Sequence, residues 1–285
     1  MSKRDALPYW LSAPAAITVL SLVAIPLIMT FSLSLQTPLS GGVIDSTITA
    51  QNYSNVVTDN YYLQIFARTF ILAAVVTTVC ILIGVPEAYV LSRLPSTWRA
   101  VSIVIVLGPL LVSVVVRTLG WAILLGREGL INAALIATGL TSEPLQLMYT
   151  YTGLVIAMSH VLVPFMVLSV WASFQKLDLA TEQAADSLGA DFLTILRRIV
   201  FPQVIPGVLS GSLIVFALTA GAFGTPAIIG GRRLKVVSTT IYDEFLDYVN
   251  WPMGAALAGV LMLLVLAVSI LTNRFIERRY KQVFE

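Results

Sequence analysis

Thr181-Glu182-Gln183-Ala184-Ala185-Asp186-Ser187-Leu188-Gly189-Ala190, followed by Ile199-Val200-Phe201-Pro202, is the longest polar stretch between the hydrophobic blocks of the chain's second half. Its surroundings are too apolar for an aqueous fold. Hydrophobic residues make up 58% of the 285 and charged residues 11%, against about 25% charged in an ordinary soluble domain, and the mean hydropathy is +0.90. Long uncharged runs match the ~20 apolar residues with which a helix crosses a bilayer. The expected fold class is all-α and integral to the membrane, with residues 1–285 as a single transmembrane domain.

Working outward from the polar stretch, six apolar runs read as spans: about 10–35, 65–90, 101–125, 152–174, 204–222 and 253–271. The first is longer than the 7–15-residue apolar region of a signal peptide, and its Pro14 and Pro26 are tolerable where neighbours re-satisfy the backbone. Residues 36–63 carry no Lys or Arg, which marks an external loop under the positive-inside rule. Residues 126–149, with Gly129, Asn132 and Pro144, have apolar parts short enough for a re-entrant or surface helix. Counting crossings then places the polar loop, about 175–202, in the cytoplasm together with both termini. Eleven of the 17 basic residues fall on that side: Lys3, Arg4, Arg93, Arg99, Lys176, Arg197, Arg198, Arg274, Arg278, Arg279 and Lys281. Arg68 and Arg117 lie within spans, and Arg127, Arg232, Arg233 and Lys235 are external exceptions.

Several classes are excluded on composition. A net charge of +2 without any block of like charges implies no nucleic-acid partner. Cys80 is the only cysteine and His160 the only histidine, so no disulfide framework, metal cluster or nucleophile–base pair can be assembled. Gly-x-x-x-x-Gly-Lys-[Ser/Thr] is absent; Gly230-Gly231-Arg232-Arg233-Leu234-Lys235 fails to reproduce it. The chain therefore offers no phosphate cradle of its own.

Within the loop, Ala184, Ala185 and Gly189 are small residues at helical spacing, broken at Gly189. Asp191 is placed to cap a second helix by accepting its free amides, and Pro202 to stop that helix before the fifth span. An amphipathic connector would show the same composition. The spacing is more specific. Gln183-Ala184-Ala185, Gly189 four after Ala185, then Ile199 ten and Pro202 thirteen after Gly189, resembles the EAA loop of permease subunits of bacterial binding-protein-dependent ABC importers. The resemblance implies a type I permease fold with a cytoplasmic coupling helix that docks in a cleft of a cytoplasmic ATPase. Glu182, Gln183, Ala184, Ala185, Gly189, Ala190, Ile199 and Pro202 are the docking residues that it implies. Two positions depart from the pattern: Gln183 stands where glutamate is usual, with Glu182 beside it as a substitute, and Phe201 where leucine is usual.

The likeness extends from about residue 50 onward. Gly84-Val85-Pro86-Glu87-Ala88-Tyr89-Val90-Leu91-Ser92-Arg93 looks like the end of the second span in these permeases. Arg117-Thr118-Leu119-Gly120-Trp121-Ala122-Ile123-Leu124-Leu125-Gly126 with Gly129-Leu130-Ile131-Asn132, Phe223 to Gly231, and Asn250-Trp251-Pro252-Met253-Gly254-Ala255-Ala256 are similar to the spermidine/putrescine group. The implied partners are a second permease, homologous or identical, two ATP-binding subunits and an external solute-binding protein. ATP and Mg would be bound by the partner ATPase, with no cofactor in this chain.

The solute path is less defined. A polyamine requires carboxylates for its ammonium groups and aromatic faces for cation–π contact; Trp121, Phe223, Tyr242, Asp243, Glu244 and Asp247 supply those types, and Glu87, near the inner end of the second span, is either structural or part of the path. The stretch Tyr242 to Tyr248 also reads as an external amphipathic helix with a solvated acidic face. Phe223 to Gly231 reads as a broken segment exposing backbone to a cavity. Arg117, a charge costing at least ~2.5 kcal/mol inside a span unless paired or wetted, is either bonded to backbone carbonyls or part of the path, and with Arg232, Arg233 and Lys235 it favours an anionic solute. An ion-coupled secondary transporter using Glu87, Arg117 and His160 is the competing class.

Overall fold

The computed structural model describes residues 7–39 and 42–284; Lys3 and Arg4, counted above on the inner side, lie outside them. In chain order the elements are α1 (Leu7–Ser34), β1 (Gln36–Pro38), β2 (Ile44–Ile48), α2 (Gln51–Thr58), α3 (Asn60–Arg93), α4 (Ser96–Leu111), α5 (Val114–Leu125), α6 (Leu130–Ala137), α7 (Tyr151–Phe174), α8 (Leu179–Ser187), α9 (Phe192–Ile195), α10 (Phe201–Ala220), α11 (Val237–Tyr242) and α12 (Trp251–Phe284). Six helical stretches are long and apolar enough to cross a membrane: Ser12–Ser34, Asn60–Arg93, Val114–Ala137, Tyr151–Phe174, Phe192–Ala220 and Trp251–Arg274. The chain divides into two compact units, Met1–Leu63 with Thr240–Met262, and Gln64–Thr239 with Leu263–Glu285.

In the first unit, α1 is apolar all round and no part of its most apolar window is buried, as suits a helix facing lipid or another membrane subunit. The stretch expected as a polar loop is folded: β1 and β2 form an antiparallel hairpin with Gln36 opposite Ile48 and Pro38 opposite Ile44. Buried Asn52 fastens α2 to it, its Nδ2 donating to the carbonyls of Ser34 (2.9 Å) and Gln36 (2.8 Å).

In the second unit, α7 is the axis. Met166, Val167 and Val170 have no exposed surface, and they pack with Leu72, Val76 and Cys80 of α3 and Val204 and Val215 of α10. Membrane helices gain no hydrophobic driving force from one another, so close van der Waals approach decides their packing. Gly207 and Gly211 of α10 provide it: a methyl at Gly211 would sit 2.8 Å from the Met166 sulfur, and Ser169 Oγ donates to the Gly207 carbonyl at 3.0 Å.

Two expectations are corrected in this unit. The run 101–125 is not one helix: α4 ends at Leu111, and Val112 and Ser113 are extended before α5 begins. Pro109, inside the last turn of α4, removes a backbone donor and weakens that turn. The other correction concerns Pro202, which does not stop a helix. From Phe192 to Ala220 the chain is helical throughout, with a π turn over Leu196–Val200 in which the Phe201 N–H bonds the Leu196 carbonyl five residues back. The wider turn relieves the clash that a proline ring makes with the carbonyl four residues earlier.

Candidate functional site

The coupling loop is built from its caps inward. Asp178 Oδ1 accepts the Ala180 N–H at 2.9 Å and starts α8. At the other end the Gly189 N–H bonds the Asp186 carbonyl (2.9 Å) and the Ala190 N–H the Ala185 carbonyl (3.1 Å), the paired closure of a Schellman motif. Gly189 has φ +82 and open space around its Cβ direction, so within the chain the glycine serves the turn. Asp191 occupies the N-cap position of α9 but its side chain makes no capping bond, contrary to expectation.

Of the expected docking residues, Gln183, Ala184, Gly189 and Pro202 are exposed, while Ala185, Ala190 and Ile199 are half-buried. Glu182 is turned inward. Arg93 Nη2, at the end of α3, stands 2.5 Å from both of its carboxylate oxygens. The Arg93 guanidinium also lies over the Tyr89 ring, 5.1 Å from its centroid, and Tyr89 meets Phe174 and Phe192 edge-on at 5.8 and 6.4 Å. Glu182, the expected substitute for the missing glutamate at 183, is thereby already paired within the chain. Large apolar side chains that the small-residue pattern concealed stand out beside it: Leu188 is 88% exposed, Phe192 63% and Leu193 66%.

The expected solute-path residues do not form one cluster. Arg117 and Phe223 do meet, lining a cavity of about 370 Å³ with Leu110, Val112, Val114, Met158, Phe165, Gly224 and Thr225 among others. Arg117 Nη1 donates to the Pro109 carbonyl, one of the acceptors left open where α4 ends. Its Nε is buried without a partner among the described residues. Thr118 and Thr225 share a buried hydroxyl–hydroxyl bond of 3.1 Å at the same break; a threonine pair 107 positions apart gave no sequence signal. Trp121 does not line this cavity; its Nε1 donates to His160 Nδ1 at 3.2 Å. Glu87 is half-buried on α3 without an ion pair among the described residues.

Tyr242, Asp243 and Glu244 belong to the other unit. Glu244 is 6% exposed and accepts the Tyr62 hydroxyl at 2.9 Å, so the solvated acidic face expected there does not extend to it. A π turn over Asp243–Asp247 rotates the carboxylate inward, and Tyr62, 182 positions away, supplies the donor.

Residues 88–282 match the family of binding-protein-dependent transport system inner membrane components. The spermidine/putrescine transport system permease protein PotB of Haemophilus influenzae is 30% identical over 260 residues, 90% of this chain and 91% of that protein. PotB of Escherichia coli is 28% identical over 262 residues, 90% and 95% of the two chains. The molybdenum transport system permease protein ModB of Mycobacterium tuberculosis is 32% identical over 201 residues, 70% and 74%. In fold, the chain superposes on a bacterial ABC transporter involved in the import of the acidic polysaccharide alginate with a TM-score of 0.77 at 18% identity, covering 98% of this chain and 97% of that one. A second crystal structure of a bacterial alginate ABC transporter, in complex with an alginate pentasaccharide-bound periplasmic protein, gives the same TM-score. With its all-α spans, its coupling-loop spacing and a match over most of its length, this chain is a multi-pass inner-membrane permease subunit of the ABC importer kind and belongs to the binding-protein-dependent transport system inner membrane component family.

Proposed function

We propose that the chain is one membrane half of an ATP-driven importer for a polyamine such as putrescine or spermidine. The observation that carries this reading is the likeness to polyamine permeases along 90% of the chain. The chain pairs with a second, homologous permease. Two cytoplasmic ATP-binding subunits bind ATP and Mg, since this sequence holds no phosphate loop of its own. Both termini lie in the cytoplasm, and a solute-binding protein delivers the cargo outside.

The loop 175–202 docks on the ATPase through Gln183, Ala184, Ala185, Gly189, Ala190, Ile199 and Pro202, joined by the exposed Leu188, Phe192 and Leu193. Glu182 acts at one remove, holding α8 against α3 through Arg93. Closure of the ATPase pair then moves α8, and α3, α7 and α10 transmit that motion to the cavity at the α4–α5 break. There Arg117 and Phe223 face the solute, with Glu87 and Trp121 as further candidates in the same unit; Tyr242 and Asp243 are separate candidates in the other unit.

An anionic solute is the second reading, favoured by Arg117 in that cavity and by the likeness to ModB. Proteoliposomes holding the complete complex decide between them. The polyamine reading predicts ATP-dependent uptake of radiolabelled spermidine, reduced by excess putrescine; uptake of molybdate with none of spermidine would overturn it.

A further inference from the structure

At the end of α7 opposite the coupling loop lies a second cavity, of about 710 Å³. The 24 residues of α7 separate the two by about 36 Å, so a loop in the cytoplasm puts this cavity on the outer face. Its polar lining comes from Arg127, Gln146, Tyr149 and Arg233. Neither guanidinium has an ion pair or hydrogen bond among the described residues, although Glu128 follows Arg127 directly and Glu143 precedes the lining residue Pro144.

The mouth is preorganised. Buried Asn132 donates to the carbonyls of Gly126 and Leu145, both at 3.0 Å, and accepts the Leu145 N–H at 2.8 Å, which fastens the segment bearing Arg127 to the wall at 144–149. On the far side the Tyr149 N–H bonds the Ile229 carbonyl at 2.9 Å. Tyr149 has φ 62 and Gly231 φ 55, and a Cβ on Gly231 would stand 2.9 Å from the tyrosine ring. Arg233, two residues on, thus lines the same cavity as Arg127. Two cations without an ion pair, carried on a fastened backbone in one concave wall, attract carboxylates and repel amines.

We propose that the Arg127–Arg233 mouth receives acidic side chains of the solute-binding protein as it docks on the outer face. The inference rests on the importer reading and names a partner contact within it. A polycationic solute is repelled at this mouth, whereas a binding protein presenting Asp or Glu gains charge-assisted bonds and faster, salt-sensitive association.

The test uses the complete complex in nanodiscs and the binding protein of the same system. Arg127→Glu with Arg233→Glu is expected to weaken docking about tenfold or more at low salt, with the loss shrinking at about 0.5 M salt. The Arg→Lys pair should stay within about threefold of the parent, because charge is kept and only the fork geometry is lost. ATP hydrolysis without binding protein should be unchanged, showing that the variants assemble. Docking of the Glu pair within about twofold of the parent, less than half a kcal/mol, would overturn the proposal. So would unchanged docking with a lost response to phosphatidylglycerol, which would assign the mouth to a lipid headgroup. If the parent docks but no polyamine is taken up, the solute reading fails while the salt-dependent loss still supports this contact; a parent that does not dock at all overturns both.

Discussion

The two ends of α7 handle charge in opposite ways. At its C-terminal end the carboxylate of Glu182 and the guanidinium of Arg93 neutralise each other at 2.5 Å beside the Tyr89 ring, and the loop next to them presents large apolar side chains, Leu188, Phe192 and Leu193, among exposed charges of both signs. At its N-terminal end Arg127 and Arg233 line a cavity without a carboxylate partner among the described residues. A surface led by apolar side chains with charges of both signs docks chiefly by shape, and one with unpaired charge of a single sign docks by electrostatics. One helix therefore joins a contact expected to resist salt to one expected to yield to it.

That contrast breaks most completely at Gly189. Proline there cannot adopt φ +82 or donate to Asp186, and the loss of the closure, ~3 kcal/mol or more, should abolish solute-stimulated ATP hydrolysis in the assembled complex. Arg93→Glu places two carboxylates together, and uptake should fall about tenfold, a change of ~1.4 kcal/mol; adding Glu182→Arg should recover most of it. Arg117→Met leaves the Pro109 carbonyl without its donor, so the complex should lose ~1–3 kcal/mol of stability, seen as a lower midpoint in thermal aggregation. Gln183→Glu adds an exposed charge to a surface that docks by shape, and uptake should remain within about twofold, under half a kcal/mol.

Length and composition carried the spans, because an apolar run either reaches across a bilayer or does not. Small-residue spacing marked the helix break at Gly189, where the structure has a glycine turn with φ +82. What escaped the sequence depends on partners far along the chain. The break at Val112–Ser113 sits in an uninterrupted apolar run, and its stabilising donor, Arg117, reads equally as a path residue. Glu182 looked free for a partner and Glu244 solvated because Arg93 and Tyr62 lie 89 and 182 positions away. Pro202 looked like a stop because nothing in Leu196–Val200 announces a π turn. Arg127 and Arg233 looked like exceptions to a topology rule until Asn132 and Gly231 placed them at one mouth.

The central claim is that the loop at 175–202 couples ATP hydrolysis to movement of solute, and Ala185→Trp tests it most directly. Ala185 sits half-buried at the end of α8, its carbonyl closing the turn, and an indole there projects into the space that docking must use. Uptake of radiolabelled spermidine and release of phosphate should be measured in the same proteoliposomes, with size-exclusion profiles confirming assembly. The account predicts that uptake falls about tenfold or more, ~1.4 kcal/mol, and that less solute moves per ATP hydrolysed. Parental uptake at the parental ratio would contradict it.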